Sequence, residues 1–437
     1  MRMFHESLVP MTNRVFNFFS SLRLTVVLLS LALLLVFIGT LAQVKLGLYV
    51  AQSEYFRSLF IFWQPNGASW KIPVFPGGWL LGGFLLINLV AAHVKRFQFS
   101  KKKIGIFLIH AGLILLLLGQ FCTELFQIES NIRFEEGETR SYSEDSRHNE
   151  LAVIDVSNPD HDEVVAIPET LLAKGGEIRH PKLPFTIRVK TFFENSEPAG
   201  PMSGEGHKIK ASEGIGKRLQ FSQSSIVATM DDENKPTALL EIISDKGAIG
   251  DWTVSLWLTK FPWNFSLRRN MGTLLGNALD EPQSFQFNGR TYQISLRPIR
   301  YYKPYSISLL EFRHDLYQGT GIPKNFSSKV HLSDPAHGED RNVLIKMNDP
   351  LRYAGETFFQ AGFDKFNDKV TVLQVVKNPA AITPYLACSL VGLGLLTQFL
   401  MHLVNFGRRS KDKTVTSKKS SRKTAVAAMA SEERRTL

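Results

Sequence analysis

His110 is the residue of this chain whose type and setting point most directly to chemistry. It lies in the run 104–119, and all of the remaining residues of this run are apolar or glycine. An ionisable side chain within hydrocarbon costs free energy, so it is rare in a membrane span and usually functional. Neutral imidazole is a standard axial ligand of haem iron. Two interpretations stay open from this segment alone: a haem ligand, or a structural histidine satisfied by a neighbouring helix or a water-filled defect.

Four stretches could carry such a residue across a bilayer. Each is free of charged residues over about 19 positions or more, the length that a spanning helix needs; they are residues 24–43, 76–94, 104–123 and 382–403. We expect the first not to be a cleaved signal peptide, because its apolar core is long and no small-residue cleavage motif follows it.

Charge predicts the orientation of these spans. The loop 95–103 has five basic residues in nine, and the tail 405–437 is rich in lysine and arginine. The positive-inside rule places both segments in the cytoplasm, and the large segment 126–381 then lies outside. The net charge of +11 therefore indicates topology and attraction to membrane lipid rather than binding of nucleic acid.

The predicted fold class is an integral membrane α-helical protein with four spans plus a large, mainly-β extracytoplasmic domain. The predicted segments are a cytoplasmic N-terminus 1–23, spans 24–43, 76–94, 104–125 and 382–404, an external loop 44–75, a cytoplasmic loop 95–103, the extracytoplasmic domain 126–381 and a cytoplasmic tail 405–437.

The segment 126–381 has the alternation of apolar and polar residues that is typical of strands. Phe185, Ile187 and Val189 fall on one face, and Asn288-Gly289 suits a two-residue type I′ turn between strands. Antiparallel sheets in a sandwich or open barrel are the expected outcome.

Few residues outside the spans suggest catalysis. No phosphate-binding glycine loop or Gly-x-Ser-x-Gly motif is present, and His161 and His314, each next to an acidic residue, are expected to be surface residues in loops. The segment 126–381 has no cysteine, which excludes disulfide stapling. Cys122 and Cys388 in the spans are expected to be buried packing thiols.

Three local motifs on this topology resemble a known family. They are HAGLILLLLG at 110–119, KPYSISLLEFRHDLYQGT at 303–320 followed by PKNFSS at 323–328, and MNDPLRYAG at 347–355 followed by Phe359-Gln360. Their order resembles the ResB (CcsB) family, the membrane component of the system II cytochrome c biogenesis machinery. The last two motifs are expected to be structural rather than catalytic, since Asn348-x-Pro350-Leu351 with the following Gly355 resembles turn chemistry that joins strands.

The resemblance implies that the protein carries haem b across the membrane and supports its attachment to apocytochrome c, with His110 as the intramembrane haem ligand. No other histidine is expected at the depth of His110, which lies roughly 9–10 Å from the cytoplasmic end of its span. His93 and His402, near the cytoplasmic helix ends, are weaker candidates for cofactor binding, since snorkelling to the interface also explains them.

The resemblance also implies partners. The tryptophan-rich haem-presenting loop of this machinery is absent, because the six tryptophans are scattered. A separate CcsA/ResC-type membrane protein would supply that loop and the second axial histidine, and thiol-reducing membrane components would assist. The chain would then be a subunit of a holocytochrome c synthase complex rather than an enzyme on its own, in a bacterial inner membrane or, in a plastid, the thylakoid membrane.

Two alternatives to this function stay open. A membrane-anchored sensor or scaffold would use the β domain to bind an envelope protein and would have no haem role. A small-solute transporter is disfavoured, because four spans are few and no inverted repeat is visible.

Overall fold

The computed structural model describes residues 13–65, 70–96, 103–199, 208–227, 233–260, 282–319, 323–364, 367 and 369–407. The chain divides into two compact units. The first comprises residues 1–45, 51–127 and 379–437, and the second comprises 46–50 and 128–378.

Four long helices form the first unit, and each is long and apolar enough to cross a membrane. They are α1 (Leu22–Ala51, continued by a π-helical turn Gln52–Phe56), α2 (Gly78–Arg96), α3 (Ile104–Phe126) and α6 (Thr383–Gly407). A small antiparallel hairpin, β1 (Phe60–Trp63) with β2 (Ile72–Pro76), lies between α1 and α2. The four predicted spans are therefore confirmed as helices, and the side of the membrane on which each loop lies stays a prediction.

A glycine stripe on α3 allows α6 to approach closely. Gly105, Gly112 and Gly119 are spaced by seven residues and are all buried. A Cβ atom added at Gly112 would lie only 2.8 Å from the carbonyl oxygen of Ala387 on α6. Lipid provides no hydrophobic force that drives two membrane helices together, so their association depends on close packing. Small residues permit this packing, because they let the two backbones approach each other.

The described residues of the second unit form strands, two short α-helices and one 3-10 helical turn, Gly214–Lys217. In chain order its elements are β3 (Ile128–Glu135), β4 (Thr139–Asp155), β5 (Glu163–Pro168), α4 (Glu169–Lys174), β6 (Gly176–Ile178), β7 (Thr186–Phe193), β8 (Ser196–Pro198), β9 (Lys208–Ile209), β10 (Phe221–Gln223), β11 (Thr237–Ser244), β12 (Gly247–Ser255), α5 (Leu256–Lys260), β13 (Gln283–Phe287), β14 (Arg290–Leu316), β15 (Pro323–Asp334), β16 (Glu339–Lys346), β17 (Leu351–Tyr353), β18 (Glu356–Phe363) and β19 (Val370–Lys377).

All of the paired strands are antiparallel. A four-stranded sheet has the order β12-β11-β7-β6, a three-stranded one has β8-β10-β9, and the main sheet runs β16-β15-β14-β4-β3-β19-β18-β17, with β13 on β14 and β5 on β4. The predicted β-rich domain of antiparallel sheets is thus confirmed.

Two hydrophobic cores share the long strand β14. One core contains Ile187, Leu240 and Leu296, and the other contains Phe134, Ile307 and Phe358. The pairing register of β14 with β4 shifts after Pro298 and again between Tyr302 and Ile307, a stretch that includes Pro304. Proline cannot donate to a ladder and is confined to bulges and edges, so these irregularities let one strand contribute to both cores.

The predicted turn and face of the first core are confirmed. Asn288 and Gly289 both have positive φ, at 49° and 76°, and they connect β13 to β14 as a two-residue turn. Phe185, Ile187 and Val189 are all buried in the first core. The alternation of apolar residues therefore identified the buried face correctly.

Candidate functional site: a histidine-lined cavity among the helices

The side chain of His110 is oriented by the helix that carries it. Its Nδ1 atom lies 2.8 Å from the carbonyl oxygen of Ile106, one turn earlier in α3. A carbonyl only accepts hydrogen bonds, so Nδ1 is the nitrogen that holds the proton in the neutral ring. The lone pair is then on Nε2, which is the arrangement found in metal-ligating histidines whose second nitrogen donates to a backbone carbonyl.

The position of His110 on α3 places it opposite the glycine stripe. Residues two apart in an α-helix are separated by about 200° around its axis. Gly112 faces α6, so His110 faces the other way, toward α2. The close contact of α3 with α6 thereby fixes the direction in which the imidazole points.

His93 on α2 is the neighbour of His110. The centroids of the two imidazole rings lie 5.7 Å apart, with an angle of 26° between the ring planes. The ring of Phe107 lies 5.4 Å from His93 on another side. We expected no other histidine at the depth of His110, and the contact of His93 with the His110 ring contradicts that expectation. The reason is the short connection from α2 to α3, which brings the end of one helix beside the beginning of the next.

A cavity of about 590 Å³ lies among α1, α2 and α3, and both histidines line it. This volume is within the range of about 300–1,000 Å³ that is usual for small-molecule and cofactor sites. The lining is mainly aliphatic, with a few polar groups; it consists of Leu22, Thr25, Leu29, Leu85, Asn88, Leu89, Ala92, His93, Lys103, Ile104, Ile106, Phe107, His110, Leu113, Leu116 and Leu117.

Asn88 fixes one wall of the cavity. It is only 1% exposed, and its Oδ1 accepts a hydrogen bond of 2.6 Å from the hydroxyl of Thr25 on α1. Its Nδ2 donates to the backbone carbonyl of Phe19 at 2.6 Å and to that of Ser21 at 3.2 Å. These bonds tie α2 to α1 and the turn before it. The sequence signals Asn88 only as a polar interruption of the second span.

His402, the third candidate, does not join this pair. It lies on α6, where its Nε2 is 2.9 Å from Nε2 of Gln398 one turn earlier, and it does not line the cavity. The structure thus brings His93 and His110 together and leaves His402 apart from them. Haem binding at any of the three stays a prediction.

The two cysteines of the spans are less buried than expected. Cys122 is half-buried and Cys388 is exposed on the surface of the first unit, and both are free thiols. The interpretation of Cys388 as a buried packing residue is wrong, because it falls on a face of α6 that no described helix covers.

In the second unit, two of the family-like motifs meet at a buried ion pair. The ammonium of Lys303 on β14 lies 2.8 and 2.7 Å from the two carboxylate oxygens of Glu356 on β18, and its side chain is only 4% exposed. The hydroxyl of Tyr305 donates to the same carboxylate. Glu356 directly follows the turn at Ala354 and Gly355, which both have positive φ. The motif at 347–355 therefore contains the turn predicted for it, whereas the motif at 303–320 lies mainly on strand β14. No sequence pattern singled out Glu356.

His314 is not a surface residue in a loop, and that interpretation is wrong. It lies on strand β14, and its ring packs against those of Phe326, at 4.9 Å between centroids, and Phe363, at 4.2 Å. The two phenylalanine rings are themselves 5.1 Å apart, so the three rings form one cluster. Alternation along the strand turns it toward these neighbours on β15 and β18. His161, in contrast, is exposed in a loop as expected.

Metal centres of higher ligand number are absent from the described part of the chain. No group of three or more histidine, cysteine or acidic residues there could hold a metal ion.

Comparison with known proteins supports the family resemblance. Residues 277–371 match the ResB-like family. A segment of 113 residues is 35% identical to Protein NrfI of Wolinella succinogenes, and it covers 25% of this chain and 12% of that protein. The chain therefore spans only a small part of the relative that it matches. The resemblance read from the sequence is confirmed over these residues: the part of the β unit that contains Lys303, His314 and Glu356 matches the ResB-like family.

Proposed function

We propose that this protein is a membrane component of cytochrome c biogenesis that binds haem b at His110 and passes it toward apocytochrome c. The observation that carries this proposal is the cavity of about 590 Å³ with His110 in its wall. The match of residues 277–371 to the ResB-like family supports the biological role.

The chemistry of the lining suits haem as a transported substrate. The porphyrin is a large apolar ring, and burying it against aliphatic side chains is favourable by the hydrophobic effect. The Nε2 lone pair of His110 can ligate the iron, and the hydrogen bond of Nδ1 to Ile106 would hold the ring in the ligating tautomer. Lys103 at the beginning of α3 also lines the cavity, where a cation would neutralise a haem carboxylate.

The direction of transport and the partners belong to the same proposal. By the positive-inside rule, the basic loop 95–103 and the basic tail support a position of the cavity end of α3 near the cytoplasmic surface, from which haem would enter. The β unit would then face the opposite compartment and meet apocytochrome c. A CcsA/ResC-type partner with a tryptophan-rich loop would complete the attachment machinery.

The substitution His110→Gly tests the haem site in the complex of this chain with its partner. We expect bound haem to fall or its spectrum to become five-coordinate, and added imidazole to restore six-coordination by occupying the vacated position. His402→Gly is the matched control, because it removes a histidine from the same membrane unit outside the cavity. Unchanged haem content and spectrum in well-folded His110→Gly complex would disprove the proposal.

A further inference from the structure

The segment that follows α1 returns to the level of the membrane span instead of leaving it. A Cβ atom added at Gly39 of α1 would lie 2.7 Å from the ring of Phe56, at the end of the π-helical turn. Gly39 comes 17 positions after Leu22, the first residue of α1, which is roughly 25 Å along the helix axis. The hydrocarbon core of a bilayer is about 30 Å thick. Phe56 therefore lies close to the boundary of the hydrocarbon at which α1 ends.

The beginning of α2 lies at the same level. The backbone N–H of Gly77 donates to the carbonyl of Leu59 at 2.8 Å, and a Cβ atom added at Gly78 would clash with the backbone of Phe56. Helix α2 has 19 residues, or about 28 Å, which is barely enough to cross the hydrocarbon. It must then begin at the boundary. The hairpin β1–β2, which these contacts join to the helix, lies at that boundary too.

The hairpin packs against the spans on one side and leaves apolar side chains uncovered on the other. Ile61 and Phe75 lie opposite each other in the strand pairing, and both belong to a hydrophobic cluster with Leu35 of α1 and Leu81 of α2. Six other apolar residues of the hairpin are 42–56% exposed; they are Phe60, Phe62, Trp63, Trp70, Ile72 and Val74. These side chains surround the part of the hairpin that faces away from the two helices.

Charge and backbone chemistry indicate what covers this surface. From position 58 to position 77 the sequence has one charged residue, Lys71, whereas a large uncharged apolar patch is unusual in contact with water. Tryptophan is enriched where hydrocarbon meets the lipid headgroups. A two-stranded sheet also has unpaired N–H and C=O groups along its edges, and these cannot be left in hydrocarbon. The headgroup region alone offers both apolar contact for the side chains and water for the edges.

We propose that the hairpin β1–β2 is seated in the interfacial region of the bilayer, with its exposed aromatic and aliphatic side chains against lipid. The segment 44–75 is then not simply an external loop, as its sequence predicts, because it contains an interfacial anchor. The anchor holds the ends of α1 and α2 at one depth through the cluster around Ile61. Both helices also line the cavity, so contact with lipid would support its walls whether or not the cavity binds haem.

The test places a nitroxide label on the full chain in lipid nanodiscs. Cys122→Ser and Cys388→Ser remove the two native thiols, and the label is attached at Phe62→Cys. Two reference proteins carry it at Leu33→Cys, which is 74% exposed on α1 and roughly 17 Å along that helix, or at His161→Cys in an exposed loop of the β unit. We measure the rates of collision with oxygen, which concentrates in lipid, and with a water-soluble nickel chelate. The ratio of the first rate to the second should be highest at position 33, intermediate at position 62 and lowest at position 161.

Two results would overturn the inference. A ratio at position 62 equal to that at position 161 would mean that the hairpin lies in water. Low rates of collision with both reagents would mean that a protein surface covers it, such as a second copy of the chain or another membrane protein.

Fluorescence decides if the labelled Phe62→Cys protein fails to fold. Lipids brominated next to the headgroup should quench a smaller fraction of the tryptophan fluorescence in the double variant Trp63→Phe and Trp70→Phe than in the wild type. Trp252→Phe is the matched control, because Trp252 is buried in the core of the β unit, and its loss should not lower the quenched fraction. Equal quenching in the wild type and the double variant would overturn the inference.

Discussion

Lys303 on β14 and Glu356 on β18, two residues 53 positions apart in the chain, form a buried ion pair. Their side chains are 4% and 15% exposed, and the hydroxyl of Tyr305 adds a third group to the carboxylate. Burial and this interaction raise the pKa of Tyr305 well above its ordinary value. The pair lies where the second and third family-like motifs meet, so it holds the ResB-like segment together.

Removing one partner of this pair should strongly destabilise the β unit. Glu356→Ala leaves the ammonium of Lys303 buried and unpaired, which typically costs about 3–5 kcal/mol. The melting temperature of the full chain in detergent measures the effect. Glu339→Ala is the control, because its pair with Arg341 is exposed on both sides and should contribute about 0–1 kcal/mol. Equal melting temperatures for the two variants would contradict the structural role of the buried pair.

The contact of α3 with α6 should depend on the absence of a side chain at Gly112. Gly112→Leu would place a side chain against Ala387 and Val391, and overpacking of this kind typically costs about 1–3 kcal/mol. Gly392→Leu is the matched control, because a Cβ there meets nothing within 4 Å. We expect Gly112→Leu to lower the melting temperature and to weaken haem binding by turning His110 away from α2. A variant with unchanged haem binding would show that the glycine stripe does not position His110.

Stability of the β unit should depend on pH through Asp145 and His148. Burial alone would raise the pKa of Asp145, but hydrogen bonds from the His148 side chain, from the N–H groups of Arg147 and His148 and from Tyr301 outweigh it and lower this pKa to about 2. The hydrogen bond to Asp145 raises the pKa of His148, against a smaller opposing effect of burial.

The signs of these two shifts define two pH windows. The contribution of Asp145 is present above its unfolded value of 3.8 and is lost as pH falls toward about 2. The contribution of His148 is present below its unfolded value of 6.5 and is lost as pH rises through its higher folded value. Because His148 is 71% exposed, its effect is small. Melting temperatures should fall between pH 6 and 8 in the wild type and less so in His148→Asn; equal slopes would contradict the second window.

The turn between β17 and β18 should tolerate asparagine better than its own alanine. Ala354 is exposed and has a φ of 50°, a region that costs L-residues other than glycine and asparagine roughly 1–2 kcal/mol. Ala354→Asn should therefore raise the free energy of unfolding by about 1 kcal/mol, and with it the melting temperature. Ala354→Val should lower it, because β-branched side chains are least compatible with positive φ. A melting temperature above that of the wild type for Ala354→Asn and below it for Ala354→Val would confirm the turn. An unchanged melting temperature for Ala354→Val would contradict it.

Attachment of haem to apocytochrome c should require a partner in addition to this chain. The six tryptophans form no tryptophan-rich loop, so expression in cells without other assembly systems should yield no holocytochrome c. Co-expression with a CcsA/ResC-type protein should restore it, as measured by haem staining of the covalent product. Covalent product from this chain alone would refute the requirement.

The sequence by itself determined the features that depend on local patterns. The uninterrupted apolar runs predict four helices. A single segment that crosses a bilayer can satisfy the hydrogen bonds of its backbone N–H and C=O groups only by forming a helix. The period-two pattern fixes the strands and their buried faces, and Asn288-Gly289 fixes its turn through the positive φ that these residues accept. His110 could be singled out for the same reason, since a lone ionisable residue stands out within its own segment.

Only the tertiary structure decided which distant residues meet. The neighbours of His110, Lys303 and His314 are His93, Glu356 and Phe363, and none is close in sequence. Side-chain periodicity says which face a residue occupies and leaves open what that face contacts. The partner depends on the crossing of α2 with α3, on the glycine stripe that turns α3 toward α6, and on the curvature of a sheet that brings β14 over β18. These are properties of packed elements, and packing is decided by all the contacting residues at once.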